Sequence, residues 1–493
     1  MSEPDSVVMA AGMARMLSPD SSFAESILYG RQLNPGIYFI FRAVYPLLFD
    51  SPRHIIGFLN WFGVLSASFI TWPLYSLFRK LYNPVISTGA LLIFIFSPIT
   101  WELGTYFHPV MPALVLALIS FHAFSRISSS LKGVLFFIVT FITFSAAVIM
   151  RTEVLFLIPP AAVYILFSKK KLRNLILLLV VFTMSVISYF SLLSTIAIQS
   201  SSGGLGITGF AERFLAMYFK PITIQGVLKS MAWAFMGMGS AMLVSILFCF
   251  IYDLREKFRK GMKTKRTSRR VITASLFWIL PSMLIWLLYP VPITRHFFII
   301  IPAFILIFSE LMFTRFQNSK AVLIIISIIV LNLVFPELLY RTYNSINPES
   351  KKEPHGTFFY YHSRVNDRIS RYIKMQMELV NPELRDSYSS KRIFVPVNWE
   401  SYGYALLGMA ETGNLVHLDT KELSPGTFIH DYAIRGRKIT LAFSNRFSGK
   451  SVPEIFLERM VHADEDNSVL LIPEELAETN INRGISEKLI RTY

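Results

Sequence analysis

Over the first 340 residues the chain alternates long apolar blocks with short polar gaps. Ten apolar stretches, at about 54–78, 84–98, 107–125, 133–149, 153–168, 174–197, 231–253, 271–289, 296–314 and 320–340, follow one another. A membrane helix needs roughly 20 predominantly apolar residues, which 174–197 and 271–289 supply outright. The shorter stretches need flanking residues or a locally thinner bilayer to complete a crossing. Two further blocks precede the first. In 7–17, Val7, Val8, Ala11, Ala14 and Met16 share one side of a helix with Arg15 on its edge. In 35–49, Arg42 interrupts the apolar run. Both are predicted to lie as interfacial helices on the outer membrane surface, joined by the turn-rich 18–22; the alternative for 35–49 is an ordinary short span. Beyond residue 340 no span remains. Four β-rich runs, 391–397, 415–418, 438–443 and 469–472, and two helical ones, 454–461 and 473–478, predict a small α/β domain.

The polar gaps differ in charge. One alternate set carries Arg79 and Lys80, then Arg126 and Lys132, then Lys169, Lys170, Lys171 and Arg173, then the basic loop 255–270, then Arg315 and Lys320. The other holds only isolated Arg151, Arg213, Lys220, Lys229 and Arg295. Cytoplasmic loops carry the excess of Lys and Arg, so 99–106, 150–152, 198–230, 290–295 and both termini are assigned to the outer side. The fold class is thus an α-helical polytopic membrane protein with a small C-terminal α/β extracytoplasmic domain. Residues 1–53 form an external acidic motif and interfacial helices, 54–340 a bundle of about ten helices, and 341–493 the soluble domain.

Composition agrees. The chain is 53% hydrophobic and only 16% charged, against the roughly one quarter charged residues of soluble domains. The net charge of +16 sits mostly in the gaps between spans, where the positive-inside rule puts it, and this argues against a nucleic-acid partner. The single cysteine, Cys249, excludes an intramolecular disulfide or a cysteine metal cluster. Residues 1–6 are acidic where a secretory signal would be basic, so no cleavable signal is read there.

Candidate chemistry gathers on the outer side. Glu3 and Asp5, one residue apart, can serve as a general base or as one side of a Mg²⁺ or Mn²⁺ site. On chemistry alone, an ordinary solvated acidic terminus is the simpler account. Glu102 is a further outer carboxylate flanked by Trp101 and Tyr106. These aromatics can stack on a sugar ring, although the interface enriches Trp and Tyr in any case. His108 reads as a helix-start residue rather than a metal ligand. No His/Asp/Glu set has helical zinc spacing, and no phosphate-binding or dinucleotide glycine fingerprint supports ATP or NAD. The glycine-rich 201–206 reads as a mobile loop over a site.

In their order, these motifs resemble the GT-C glycosyltransferases, the multi-spanning family that includes protein O-mannosyltransferases and lipid A aminoarabinose transferases. The resemblance rests on Glu3-x-Asp5, on Asn34-Pro35-Gly36-Ile37-Tyr38, on Ser97-Pro98, on Arg151-x-Glu153 and on Pro292-Ile293-Thr294-Arg295-His296. It extends over most of residues 1–340. The family has a membrane helix before its acidic motif, which implies that this chain lacks the usual first span, through truncation or a late start. Where many relatives carry Pro-Pro, this chain has Asn34-Pro35-Gly36.

The resemblance implies an inverting-type transfer of a sugar from a polyprenyl-phosphate lipid donor to a glycan, lipid or protein acceptor, on the outer face of a bacterial cytoplasmic membrane. Asp5 would be the base, and Glu3 its helper or a ligand for a divalent cation, the one cofactor left open. Arg295 would bind the donor phosphate, with Arg151 second and Arg31, Lys220 and His296 weaker. A guanidinium matches two phosphate oxygens at once. An ion pair with Glu153 is an equal alternative for Arg151, and snorkelling at a helix end an alternative for Arg295. Glu102, Trp101, Tyr106 and Arg31 would line the sugar or acceptor. Two other classes compete: a lipid-linked sugar flippase or transporter, and a non-catalytic envelope scaffold.

Overall fold

The computed structural model describes residues 4–17, 22–29, 34–49, 54–105, 107–127, 131–167, 170–199, 266–288, 294–315 and 318–346, together with single positions 224, 244 and 246. After these come the strands within 392–397, 415–424, 427–434, 437–444, 468–472 and 491–492. The expected span 231–253, the glycine-rich 201–206 and the expected helices 454–461 and 473–478 lie outside the described residues. The chain divides into two compact units, Met1–Asn60 with His362–Tyr493, and Trp61–Tyr361.

The first unit opens with helices α1 (Pro4–Met16), α2 (Phe23–Tyr29) and α3 (Gly36–Leu48). A one-sided α1 was expected, and this is corrected: Val8, Met9, Ala10, Ala11, Met13 and Ala14 are all buried. The cause is its small residues, which let neighbours approach from several directions. A Cβ on Gly12 would lie 2.6 Å from the Ser26 carbonyl oxygen and 2.9 Å from the Tyr38 hydroxyl. Helix α3 is two-sided. It buries Ile37, Tyr38, Phe41 and Tyr45 and exposes Phe39, Val44, Leu47 and Leu48, while Arg42 covers the Phe23 ring from 5.4 Å. Phe41 stacks on Tyr45, and both meet the ring of Phe58 edge-on. Its 13 residues span about 20 Å, less than a bilayer's hydrocarbon core.

The same unit holds a six-stranded sheet of order β2-β3-β4-β1-β5-β6, from β1 (Arg392–Val397), β2 (Leu415–Ser424), β3 (Thr427–Ile434), β4 (Arg437–Ser444), β5 (Ser468–Ile472) and β6 (Arg491–Thr492). Strand β1 is central and parallel to β4 and β5, whereas β3 runs antiparallel to β2 and β4. Ser424 pairs with Thr427 and Ile434 with Arg437. The dipeptides between them, Pro425-Gly426 and Arg435-Gly436, end in the residue that tight hairpin reversals select. The four expected β-rich runs coincide with β1, β2, β4 and β5. Strand β3 was not expected, because its alternation is broken by His430 and Asp431.

The second unit is helical. It takes up α4 (Ile55–Phe69), continued by α5 (Thr71–Leu81), then α6 (Pro84–Ile95), α7 (Pro98–Thr105), α8 (Val110–Phe124), α9 (Leu131–Met150), α10 (Ile158–Leu166), α11 (Lys171–Gln199), α12 (Arg266–Leu288), α13 (Ile301–Arg315) and α14 (Asn318–Ile346). Among the described residues, three helices are long and apolar enough to cross a membrane: Ile55–Leu81, Leu131–Met150 and Lys171–Ile196. Six shorter apolar helices accompany them in this unit. Their outward faces are apolar at helical spacing, as in Leu131, Leu135, Ile138 and Ile142 of α9 and Leu323, Ile326 and Val330 of α14. Faces of this kind suit lipid and would aggregate in water.

Packing runs in a closed cycle, α5–α6–α13–α12–α10–α11–α9–α8 and back to α5, with α14 laid on α6. The contacts use small and hydroxylated residues, as membrane bundles do when no hydrophobic driving force separates helix from lipid. Ser145 Oγ meets Ser185 Oγ at 2.9 Å between α9 and α11, and Ser120 Oγ donates to the Thr140 carbonyl at 3.0 Å. Arg270 of α12 lies 3.6 Å from the Tyr164 ring centroid and donates to the Tyr164 carbonyl. Helix α14 meets α6 at Gly89, where an added Cβ would collide with the Ile325 side chain. Gly89→Leu is therefore expected to cost about 1–3 kcal/mol of stability, read as a lower melting temperature in detergent. Ile325→Ala should recover part of the loss, and additive losses would contradict the contact.

Candidate functional site

Prolines break the helices at one end of the bundle. A proline is well placed only in the first turn of a helix, where its missing N–H costs nothing. Pro98 opens α7, Pro109 precedes α8, Pro159 and Pro160 open α10, and Pro302 opens α13. Two of these restarts are preceded by 3-10 segments, Thr152–Leu157 and Thr294–Ile300. At the opposite end, Asn83 caps α6 by accepting from the Ile86 N–H at 3.0 Å.

These irregular pieces share packing partners. The segment Thr294–Ile300 packs against α7, α8 and α12, and Thr152–Leu157 packs against α8, α9 and α12. The backbone positions of Trp101, Glu102, Arg151, Arg295 and His296 are thereby gathered at one end of one unit. Asp5 lies in the first turn of α1, in the other unit. Glu3, Arg31, Tyr106 and Lys220 lie outside the described residues.

At the centre of this layer, Arg151 and Glu153 form an ion pair. Arg151 Nε and Nη2 donate to Glu153 Oε1 at 2.7 and 2.6 Å, with 15% and 14% of the two side chains exposed. The salt-bridge alternative for Arg151 is the one observed, so its guanidinium is partly committed. His108 stands in the turn ahead of α8, where its Nδ1 accepts from the Val110 N–H at 3.3 Å, in keeping with a helix-start role. The imidazole is buried. Nearby, Ser97 Oγ and Thr100 Oγ1 share a hydrogen bond at 2.7 Å. Trp101 stacks on Phe96 with ring centroids 6.1 Å apart and stays 38% exposed.

Comparison of the chain with family models, curated proteins and solved structures finds no similarity to any of them. The resemblance to GT-C enzymes therefore rests on motif order alone. Among the described residues, no group of three or more His, Cys, Asp or Glu could hold a metal ion; Glu3 and the Asp5 side chain are not among them.

Two groups went unnoticed in the sequence. Glu310 is buried within α13, beside Tyr82, whose hydroxyl donates to the Leu306 carbonyl at 3.2 Å. The signal was a lone carboxylate inside an apolar run. His122 of α8 touches Ser76 and Lys80 of α5, which no local pattern announces.

Proposed function

We propose that this protein is a GT-C-like membrane glycosyltransferase. It moves a sugar from a polyprenyl-phosphate-type donor to a glycan, lipid or protein acceptor at the extracytoplasmic face of a bacterial cytoplasmic membrane. The observation that carries the reading is the convergence of α7, Thr152–Leu157 and Thr294–Ile300 at one end of the bundle. A site for a lipid-linked donor has to be polar, water-accessible and open to the bilayer, and broken backbone at membrane depth is tolerated where it is buried in protein or lines such a cavity. The reading also takes the ten apolar stretches as spans, the sheet as part of an extracytoplasmic α/β domain that presents the acceptor, and the basic gaps as cytoplasmic.

In the reaction, Asp5 takes the proton of the acceptor hydroxyl while the acceptor oxygen bonds to the sugar's anomeric carbon. The bond from that carbon to the phosphate oxygen breaks, and the prenyl phosphate leaves with the electron pair. Arg295 holds the departing phosphate with His296 beside it. Arg151, tied to Glu153, fixes the geometry of the layer more than it binds donor. Glu3 supports Asp5 directly or through Mg²⁺ or Mn²⁺, and Glu102, Trp101, Tyr106 and Arg31 receive the sugar or acceptor.

The test is transfer from a synthetic prenyl-phosphate sugar by the purified chain. Asp5→Asn is expected to lower turnover by about 100-fold or more, and Arg295→Ala to raise the donor KM. Unchanged turnover in Asp5→Asn removes the assignment of the base. A second reading, a flippase, is favoured by buried Glu310, since ionisable groups inside spans mark transport pathways. Flux of the lipid-linked sugar across proteoliposomes without any transfer product would select it.

A further inference from the structure

We propose that the basic end of the bundle binds the headgroup of one anionic phospholipid, whose acyl chain lies along α4 and α5. The reasoning starts from which cations are already engaged. Arg79 Nη1 donates to the Tyr82 carbonyl at 2.9 Å and Arg173 Nη2 to the Ile127 carbonyl at 3.3 Å. Both satisfy backbone left open where the chain turns between helices, a role that needs no ligand.

Lys80 does otherwise. Its Nζ turns to α8, 3.2 Å from Ser125 Oγ and 3.4 Å from His122 Nδ1, and Ser76 Oγ lies 3.3 Å from the same imidazole nitrogen. Arg126, next in sequence to Ser125, is exposed with its guanidinium 5.6 Å from the Phe136 ring. Among the described residues no carboxylate pairs with Lys80 or Arg126. Two cations, an imidazole and two hydroxyls from α5 and α8 thus converge on one exposed spot with their charge uncompensated. A phosphate diester supplies both the missing charge and the acceptors that ammonium, guanidinium and hydroxyl donors need.

The second observation is the surface that leads there. Trp61, Leu65, Phe69, Trp72, Ser76 and Lys80 recur every three or four residues, and so form one stripe along Ile55–Leu81. The apolar members are 70%, 50%, 65% and 56% exposed, and the Trp72 ring lies 5.7 Å from that of His122. From Trp61 to Lys80 the helix rises roughly 28 Å, about the thickness of a bilayer's hydrocarbon core. A lipid-facing ridge that ends in a cation pocket fits a phospholipid, and it fits neither a soluble anion nor an acidic peptide. The proposal does not depend on the transferase reading or on which leaflet the basic end faces.

The experiment uses the full chain in mixed micelles with equimolar dioleoyl phosphatidylglycerol and dioleoyl phosphatidylcholine, with retained lipid counted by native mass spectrometry. Wild type is expected to retain the anionic lipid by about tenfold over the zwitterionic one. The double variant Lys80→Gln/Arg126→Gln should lose that preference, and Trp72→Ala should lower retention of both lipids. Lys132→Gln/Lys320→Gln, which removes as much charge elsewhere, should change nothing. Preference that survives in the first double variant, or falls equally in the second, overturns the proposal in favour of diffuse basic charge. Loss of preference on adding excess inorganic phosphate overturns it in favour of a free-anion site.

Discussion

A hydrocarbon layer offers backbone N–H and C=O groups no partner, so whatever crosses it must satisfy them internally. Among the described residues that constraint leaves most crossings helical throughout, with Pro281 inside α12 and the turn at Ile70 as exceptions, and gathers the 3-10 segments at helix ends. The hydroxyls of Ser66 and Thr140 return to carbonyls one turn earlier, and inter-helix contacts are made by Ser, Ala and Gly. Where a helix breaks, polar groups can gather. Away from the breaks the buried polar groups of the described helices are hydroxyls, apart from Glu310 and Asn332.

The two ends of the bundle meet the constraint differently. At one end, prolines stop and restart four helices, and the resulting short segments bring Arg151, Glu153, His108, Ser97 and Thr100 into one layer with the backbone of Glu102 and Arg295. At the other end, Asn83 caps α6, Arg79 and Arg173 donate to carbonyls at the described turns, and the excess charge is cationic. The first arrangement suits chemistry on a polar group presented from lipid; the second suits anchoring at lipid phosphates.

Much of this was legible in the sequence for a simple reason. Long apolar runs can only be helices in lipid, so α9 and α11 follow from composition alone; the breaks do not, since 153–168 and 296–314 read as single spans and are instead 3-10 segments followed by α10 and α13. The ion pair of Arg151 with Glu153 was legible as one of two equal alternatives, from two residues with one between them at an outer helix end. What was not legible depends on distance along the chain. The burial of α1 on all sides depends on Gly12 meeting Ser26 and Tyr38. The junction of His122 with Lys80 joins positions 42 residues apart, and the Tyr82–Leu306 bond joins positions 224 apart. Periodicity places residues on a face, but it does not say which helix that face will meet.

The account stands or falls on whether the broken helix ends lie together on one side of the membrane and the basic ends on the other. Cysteine accessibility in sealed vesicles tests this directly, with the native Cys249 replaced by Ser. Thr152→Cys and Thr294→Cys should react with a membrane-impermeant maleimide from one and the same side, and Lys171→Cys only from the other. Labelling of Thr152→Cys and Thr294→Cys from opposite sides, or of Lys171→Cys from the side that labels them, would contradict it.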